Sequence, residues 1–212
     1  MKKTELLTLL LASNLLTSCE WLYSVYEHWT DENYNLRVVQ YSERSKALAV
    51  DEYYYREDKY SGDITIDITI PASIGGMPIE HFGRYSTTEI SDSYYHDSKR
   101  MSGSSDINFA IICFAYFEEG TVINLNINIE ADLEGFELFA YSYGPLEFLN
   151  NNDIDSNYGY APECNLYISI AEDSDIYYSI DGEVYERRDD GEDRKLTTRN
   201  PDVSVHGNMW PS

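Results

Sequence analysis

The stretch Ile64-Thr65-Ile66-Asp67-Ile68-Thr69-Ile70 carries isoleucine at every second position, and Val122-Ile123-Asn124-Leu125-Asn126-Ile127-Asn128-Ile129-Glu130 repeats the pattern with asparagine between the apolar residues. Successive side chains of a β-strand point to opposite faces, so each segment predicts a strand buried on one side only. Pro71 stops the first, because it has no amide proton for a ladder. Leu166–Ile170 and Asp175–Ile180 follow the same alternation. Upstream, Leu36 and Val38, a turn at Ser42-Glu43-Arg44-Ser45, and then Ala47 and Ala49 read as a β-hairpin. Asp181-Gly182 is a hairpin-turn dipeptide between Tyr177–Ile180 and Val184-Tyr185, and Asp189-Asp190-Gly191-Glu192 marks another tight turn. Phe109–Phe117 is apolar almost without a break, which suits a strand buried on both faces or a short buried helix. Residues 84–106 are polar and read as a long loop. The expectation is a mainly β domain.

Composition sets the bounds. Of 212 residues 42% are hydrophobic and 20 are tyrosine, enough for a real core with a strand preference, which excludes a disordered acidic tail. The N-terminus reads Met1-Lys2-Lys3, then an apolar stretch from Leu6 to Leu16, then Thr17-Ser18-Cys19. That apolar stretch is too short to cross a hydrocarbon core of roughly 30 Å as a helix, but it has the length of a signal-peptide core. Without residues 1–18 the count of basic and acidic side chains goes from 15 and 38 to 13 and 37, a formal charge of −24. A surface of that sign repels phosphates, so nucleic acid is excluded as a partner, while cationic proteins and metal ions are electrostatically admitted.

Leu16-Thr17-Ser18-Cys19 resembles the lipobox of bacterial lipoproteins, in which the cysteine takes a diacylglycerol thioether before cleavage. The resemblance implies that 1–18 is a lipoprotein signal peptide, that Cys19 is lipidated, and that 19–33 is a tether to a β-rich domain over 34–212. Acyl chains contribute about 0.8 kcal/mol per buried CH₂, so two or three chains anchor stably. Cys113 and Cys164 then remain. Export makes a disulfide between them chemically possible, and the apolar surroundings of Cys113 suit a buried free thiol equally.

Tyr60-Ser61-Gly62-Asp63-Ile64, followed by Ile68-Thr69-Ile70-Pro71-Ala72-Ser73-Ile74-Gly75-Gly76-Met77-Pro78-Ile79, resembles the opening unit of BspA-type leucine-rich repeat proteins. Leu133-Glu134-Gly135-Phe136-Glu137-Leu138-Phe139-Ala140-Tyr141 is similar to the following part of a repeat, and Asn165–Asp173 running into Tyr177–Tyr185 is similar to the family's unit ending in Asp-Gly-Val-Leu-Tyr. Leu125 to Phe148 spans 23 residues, inside the leucine-rich repeat range. Residues 91–121 fit no such unit. The resemblance implies a short solenoid of degenerate repeats whose stacked units share one core, and a protein-binding or adhesion role at the bacterial surface. The rival architecture, which the hairpin signals also support, is an antiparallel β-sandwich.

Chemistry is sparse in this sequence. His28, His81, His96 and His206 show no metal-ligand spacing, and His81 reads as a solvent-facing or core histidine before it reads as a ligand. There is no Gly-x-Ser-x-Gly elbow, and Gly75-Gly76 lacks the lysine of a phosphate loop and reads as a turn. Asp153-Ile154-Asp155-Ser156-Asn157 begins like a calcium loop, but Tyr158 and Cys164 stand where glycine and glutamate belong. Tyr53, Tyr54, Tyr55, Tyr94, Tyr95, Tyr141 and Tyr143 are candidates for a contact surface, with strand packing as the alternative. The sequence thus predicts no enzyme, no metal and no cofactor. It predicts an acidic protein with a palmitate-type membrane anchor in the bacterial envelope and a protein partner. Its rivals are an envelope carbohydrate-active β-sandwich enzyme and a purely structural lipoprotein.

Overall fold

The computed structural model describes residues 27–40, 47–56, 61–83, 109–113, 117–138, 146–150 and 160–207. Among these the chain is mainly β, with no helix. The alternating segments form the most regular sheet. β4 (Asp63–Ile70), β8 (Val122–Ile129) and β11 (Glu163–Ile170) run parallel, with β8 in the middle. Their register is unbroken, so Ile66, Leu125 and Leu166 stand side by side, as do Ile68, Ile127 and Ile168. Every apolar residue of the period-2 pattern points inward, and these aliphatic rows are at most 9% exposed. One-sided burial is what fixes this register, because a slip of one residue would turn all the isoleucines to water.

A second, larger sheet has the order β1 (Glu27–Asp31), β2 (Leu36–Gln40), β3 (Leu48–Tyr55), β7 (Ala110–Cys113), β10 (Leu146–Asn150) and β15 (Val203–Gly207). β1, β2 and β3 pair antiparallel, whereas β3–β7, β7–β10 and β10–β15 are parallel. β6 (Met77–Gly83) joins this sheet through β3 and carries β9 (Gly135–Glu137) on its other side, both parallel. β5 (Ser73–Ile74) turns back on β6 through Gly75-Gly76, both at positive φ. β12 (Tyr177–Ile180), β13 (Glu183–Glu186) and β14 (Arg194–Lys195) form a small antiparallel sheet. Its hairpin turns at Asp181 (φ 52°) and Gly182 (φ 82°), two left-handed residues as a tight hairpin turn requires.

The inward faces of the two main sheets share one core. Leu36, Val38, Leu48, Val50, Ile111, Leu146 and Phe148 meet the isoleucine rows there. Phe82 stacks between Phe109 and Phe136 at centroid distances of 4.5 and 5.3 Å, and Phe117 meets Phe148 edge-on.

Several sequence expectations change against this architecture. The register partners of Leu125 are Ile66 and Leu166, and Phe148 lies in the other sheet beside Ile111. Neighbouring parallel strands of this sheet are therefore separated by 59 residues (Asp63 to Val122) and 41 residues (Val122 to Glu163), not 23. The 23-residue interval joined two apolar peaks without information about which strands become neighbours. Residues 27–31, assigned by sequence to the tether, form β1, whose five residues all pair with β2. Phe109–Phe117 supplies β7, a strand and not a helix. The expected 84–106 loop and the calcium-like segment 153–157 lie outside the described residues, as do Cys19 and the whole of 1–18.

Candidate functional site

Among the described residues, two places gather functional groups: the outward face of the regular sheet and the outward side of β6. On the first, unbroken register lines up Thr65, Asn124 and Asn165, then Asp67, Asn126 and Tyr167, then Thr69, Asn128 and Ser169. Neighbouring side chains hold one another. Asn126 Nδ2 donates to Asp67 Oδ1 at 2.8 Å, Asn165 Nδ2 donates to Asn124 Oδ1 at 3.0 Å, and Ser169 Oγ donates to Asn128 Oδ1 at 2.8 Å. The result is a flat array of amides and hydroxyls. Tyr167, 45% exposed, is its large apolar element. The Arg199 guanidinium lies 5.5 Å from the Tyr167 ring centre, and the ring packs so closely on Gly182 that a Cβ there would collide with it. The β11 edge beside it is covered, because Leu166 N donates to Arg199 O, Ile168 N to Gly182 O and Ile170 N to Ser179 Oγ.

The second place depends on a break in period. Leu48 pairs with Ile79 and the next residue, Ala49, pairs with His81, so Glu80 is an extra residue in β6. Ile79 and Phe82 both point into the core at 1% exposure, leaving Glu80 and His81 as two consecutive residues that do not. Such a bulge re-aims side chains that a regular strand would send to opposite faces. Parallel pairing of His81 with Gly135 then sets Glu134 beside Glu80, and Glu134 N donates to Glu80 O at 2.7 Å. Gly135 has no side chain because the His81 ring occupies that space; a Cβ would strike Nδ1. Ligand atoms of Glu80, His81 and Glu134 all lie within 4.8 Å of one another. Burial lowers the His81 pKa to about 4, so its imidazole is neutral at neutral pH. Burial and the neighbouring Glu134 carboxylate raise that of Glu80.

The sequence-nominated residues fare unevenly. Tyr55 is buried in the core, Tyr53 packs against it half-buried, and the Tyr54 hydroxyl donates to Glu52 Oε2 at 2.8 Å. Within the sheet, Tyr55 is closed off while Tyr53 and Tyr54 stay partly exposed. Tyr94, Tyr95, Tyr141 and Tyr143 lie outside the described residues. Cys113 and Cys164 are both free, buried thiols, and burial raises both pKa values, that of Cys164 to about 12. Of the histidines, only His81 joins a cluster of potential ligands among the described residues. Sequence reading missed Glu80 and Glu134. The spacing Ile79-Glu80-His81-Phe82, two polar residues between two apolar ones inside a strand, was the available sign of a bulge.

No protein-family model matches this chain, and no curated protein and no solved structure matches it.

Proposed function

We propose that this protein is a lipid-anchored bacterial envelope protein, with no enzymatic activity, whose β-domain binds another protein through the outward face of β4, β8 and β11. The observation that carries the reading is the in-register array of Thr, Asn, Asp, Ser and Tyr, held in place by side-chain hydrogen bonds across strands. Side chains ordered beforehand lose little further freedom on binding, which favours recognition. Size sets the strength. Three strands at about 4.8 Å spacing and eight residues at about 3.3 Å rise give a face of roughly 400 Å². That is about half of what one partner buries in a standard interface of about 800 Å² per side. The array alone therefore supports a weak encounter, and display of many copies on a membrane adds avidity. The formal charge of −23 directs it toward basic partners.

The fold that presents this face is, on the same proposal, a short solenoid. Its support is the order of travel: the chain passes from β3 to β4, from β7 to β8 and from β10 to β11, and each set of equivalent strands is parallel. The stacking intervals of 59 and 41 residues make its turns longer than leucine-rich repeat units.

Palmitate labelling of the expressed chain tests the anchor: label on the wild type and none on Cys19→Ser is expected, and an unlabelled wild type rejects it. Crosslinking on intact cells tests the face. Asn126→Arg should abolish a crosslink that the wild type forms, and an undiminished crosslink would move the binding surface elsewhere. Paired cysteines at Thr65 and Asn124 should oxidise together, since register neighbours lie within disulfide reach; failure would count against parallel stacking.

A further inference from the structure

We propose that Glu80, His81 and Glu134 form a binding site for a divalent transition-metal ion of the zinc type. The inference is independent of the anchor and of the polar face. The ligand set is one imidazole and two carboxylates, types that zinc and its neighbours accept together. Donor atoms on one tetrahedral zinc, with bonds of about 2.0–2.2 Å, stand roughly 3.3–3.6 Å apart. The three ligand atoms here lie within 4.8 Å, so side-chain rotation of about 1 Å closes the set.

Three backbone features build this arrangement. The bulge at Glu80 brings two consecutive side chains to one side of β6. The bond from Glu134 N to Glu80 O fixes the distance between the strands that carry the two carboxylates. The missing side chain at Gly135 gives the imidazole its place. Two carboxylates held close repel one another, and a cation between them removes that repulsion. Calcium and magnesium fit poorly, because they take six or more oxygen ligands and leave imidazole aside. Three protein ligands leave a fourth position for water or for a donor from another molecule.

Calorimetric titration of the purified full chain with zinc chloride at neutral pH, in chelator-stripped buffer, tests the site. One zinc per chain is expected, undisplaced by excess calcium. His81→Ala should weaken binding about tenfold or more, and His206→Ala should leave it unchanged. Since His81 packs into the sheet, Glu134→Gln at an exposed position is the second arm. A loss of about tenfold there, with the metal-free melting temperature unaltered, supports the site. Unchanged affinity in both His81→Ala and Glu134→Gln, or ready displacement of zinc by calcium, would show ions gathered by the general acidity of the surface and would overturn the proposal.

Discussion

The two main sheets solve the same packing problem in opposite ways. β4, β8 and β11 bury one face and open the other, so their sequences alternate residue by residue. β2, β7 and the first five residues of β3 are closed on both sides. Leu36 and Val38 point to the shared core while Val39, Ala49, Ala110 and Ile112 on the opposite face are at most 3% exposed. Closure on both sides traps charge as well. Arg37 Nη1 reaches Glu52 Oε1 at 2.5 Å with the two side chains 9% and 1% exposed, and Asp51 lies 3.8 Å from Nε. The carboxylates of Asp51 and Glu52 raise the Arg37 pKa although burial alone would lower it. A strand with one wet face tolerates polar residues singly. A strand with none must set each buried charge beside an opposite one, and here Arg37 serves both Asp51 and Glu52.

The largest expected effects break this contrast on the closed side. Glu52→Ala leaves a guanidinium buried beside one remaining carboxylate and should lower unfolding free energy by about 3–5 kcal/mol in urea. A loss below about 1 kcal/mol would mean that water reaches the pair. Ile112→Asn puts an unmatched amide where a methyl-rich side chain was, with an expected loss of about 2–4 kcal/mol. Its mirror, Asn126→Ile on the open face, should stay within about 0.5 kcal/mol of wild type. Equal losses for the two would erase the distinction between the sheets.

The same contrast explains what was legible in the sequence. Alternation reports one-sided burial directly, and the Ile64–Ile70 and Val122–Ile129 segments are strands over those residues. The Asp181-Gly182 hairpin was readable because left-handed backbone restricts residue choice. Phe109–Phe117 was ambiguous because two-sided burial removes periodicity. Partnership between strands distant in the sequence is not readable: nothing local in Leu125 says that Ile66 rather than Phe148 lies beside it. The Glu80–His81–Glu134 cluster failed on both counts, needing a bulge inside β6 and a neighbour brought from β9. His81 without its two carboxylate neighbours carries no signal in the sequence.

β6 stands between the two regimes, and acid should reveal it. His81 has a folded-state pKa of about 4 against 6.5 for a free imidazole. Above 6.5 neither state holds the proton and the residue is silent. As the pH falls from 6.5 toward 4, the unfolded chain takes up a proton that the folded chain refuses, so stability declines through that window. Glu80, with its pKa raised by burial and by Glu134, works in the opposite direction, taking its proton more readily when folded. Urea midpoints across this range should fall more steeply for wild type than for His81→Gln. Parallel curves would mean that the imidazole is freely hydrated and that β6 belongs with the open face.

The smallest effect concerns the open face itself. Asn126 and Asp67 are register partners whose side chains share a 2.8 Å hydrogen bond in solvent. Each group, once separated, bonds to water instead, so the pair adds little net free energy. Cross-strand pairs of this kind contribute about 0.2–1 kcal/mol, and exposure places this one near the lower end. A double-mutant cycle of Asn126→Ala and Asp67→Ala should therefore give a coupling of roughly 0.3 kcal/mol. A coupling above about 1.5 kcal/mol would show that the amides act as a cooperative network. The array would then be part of what holds the sheet together, and its polar residues would no longer be free to serve recognition alone.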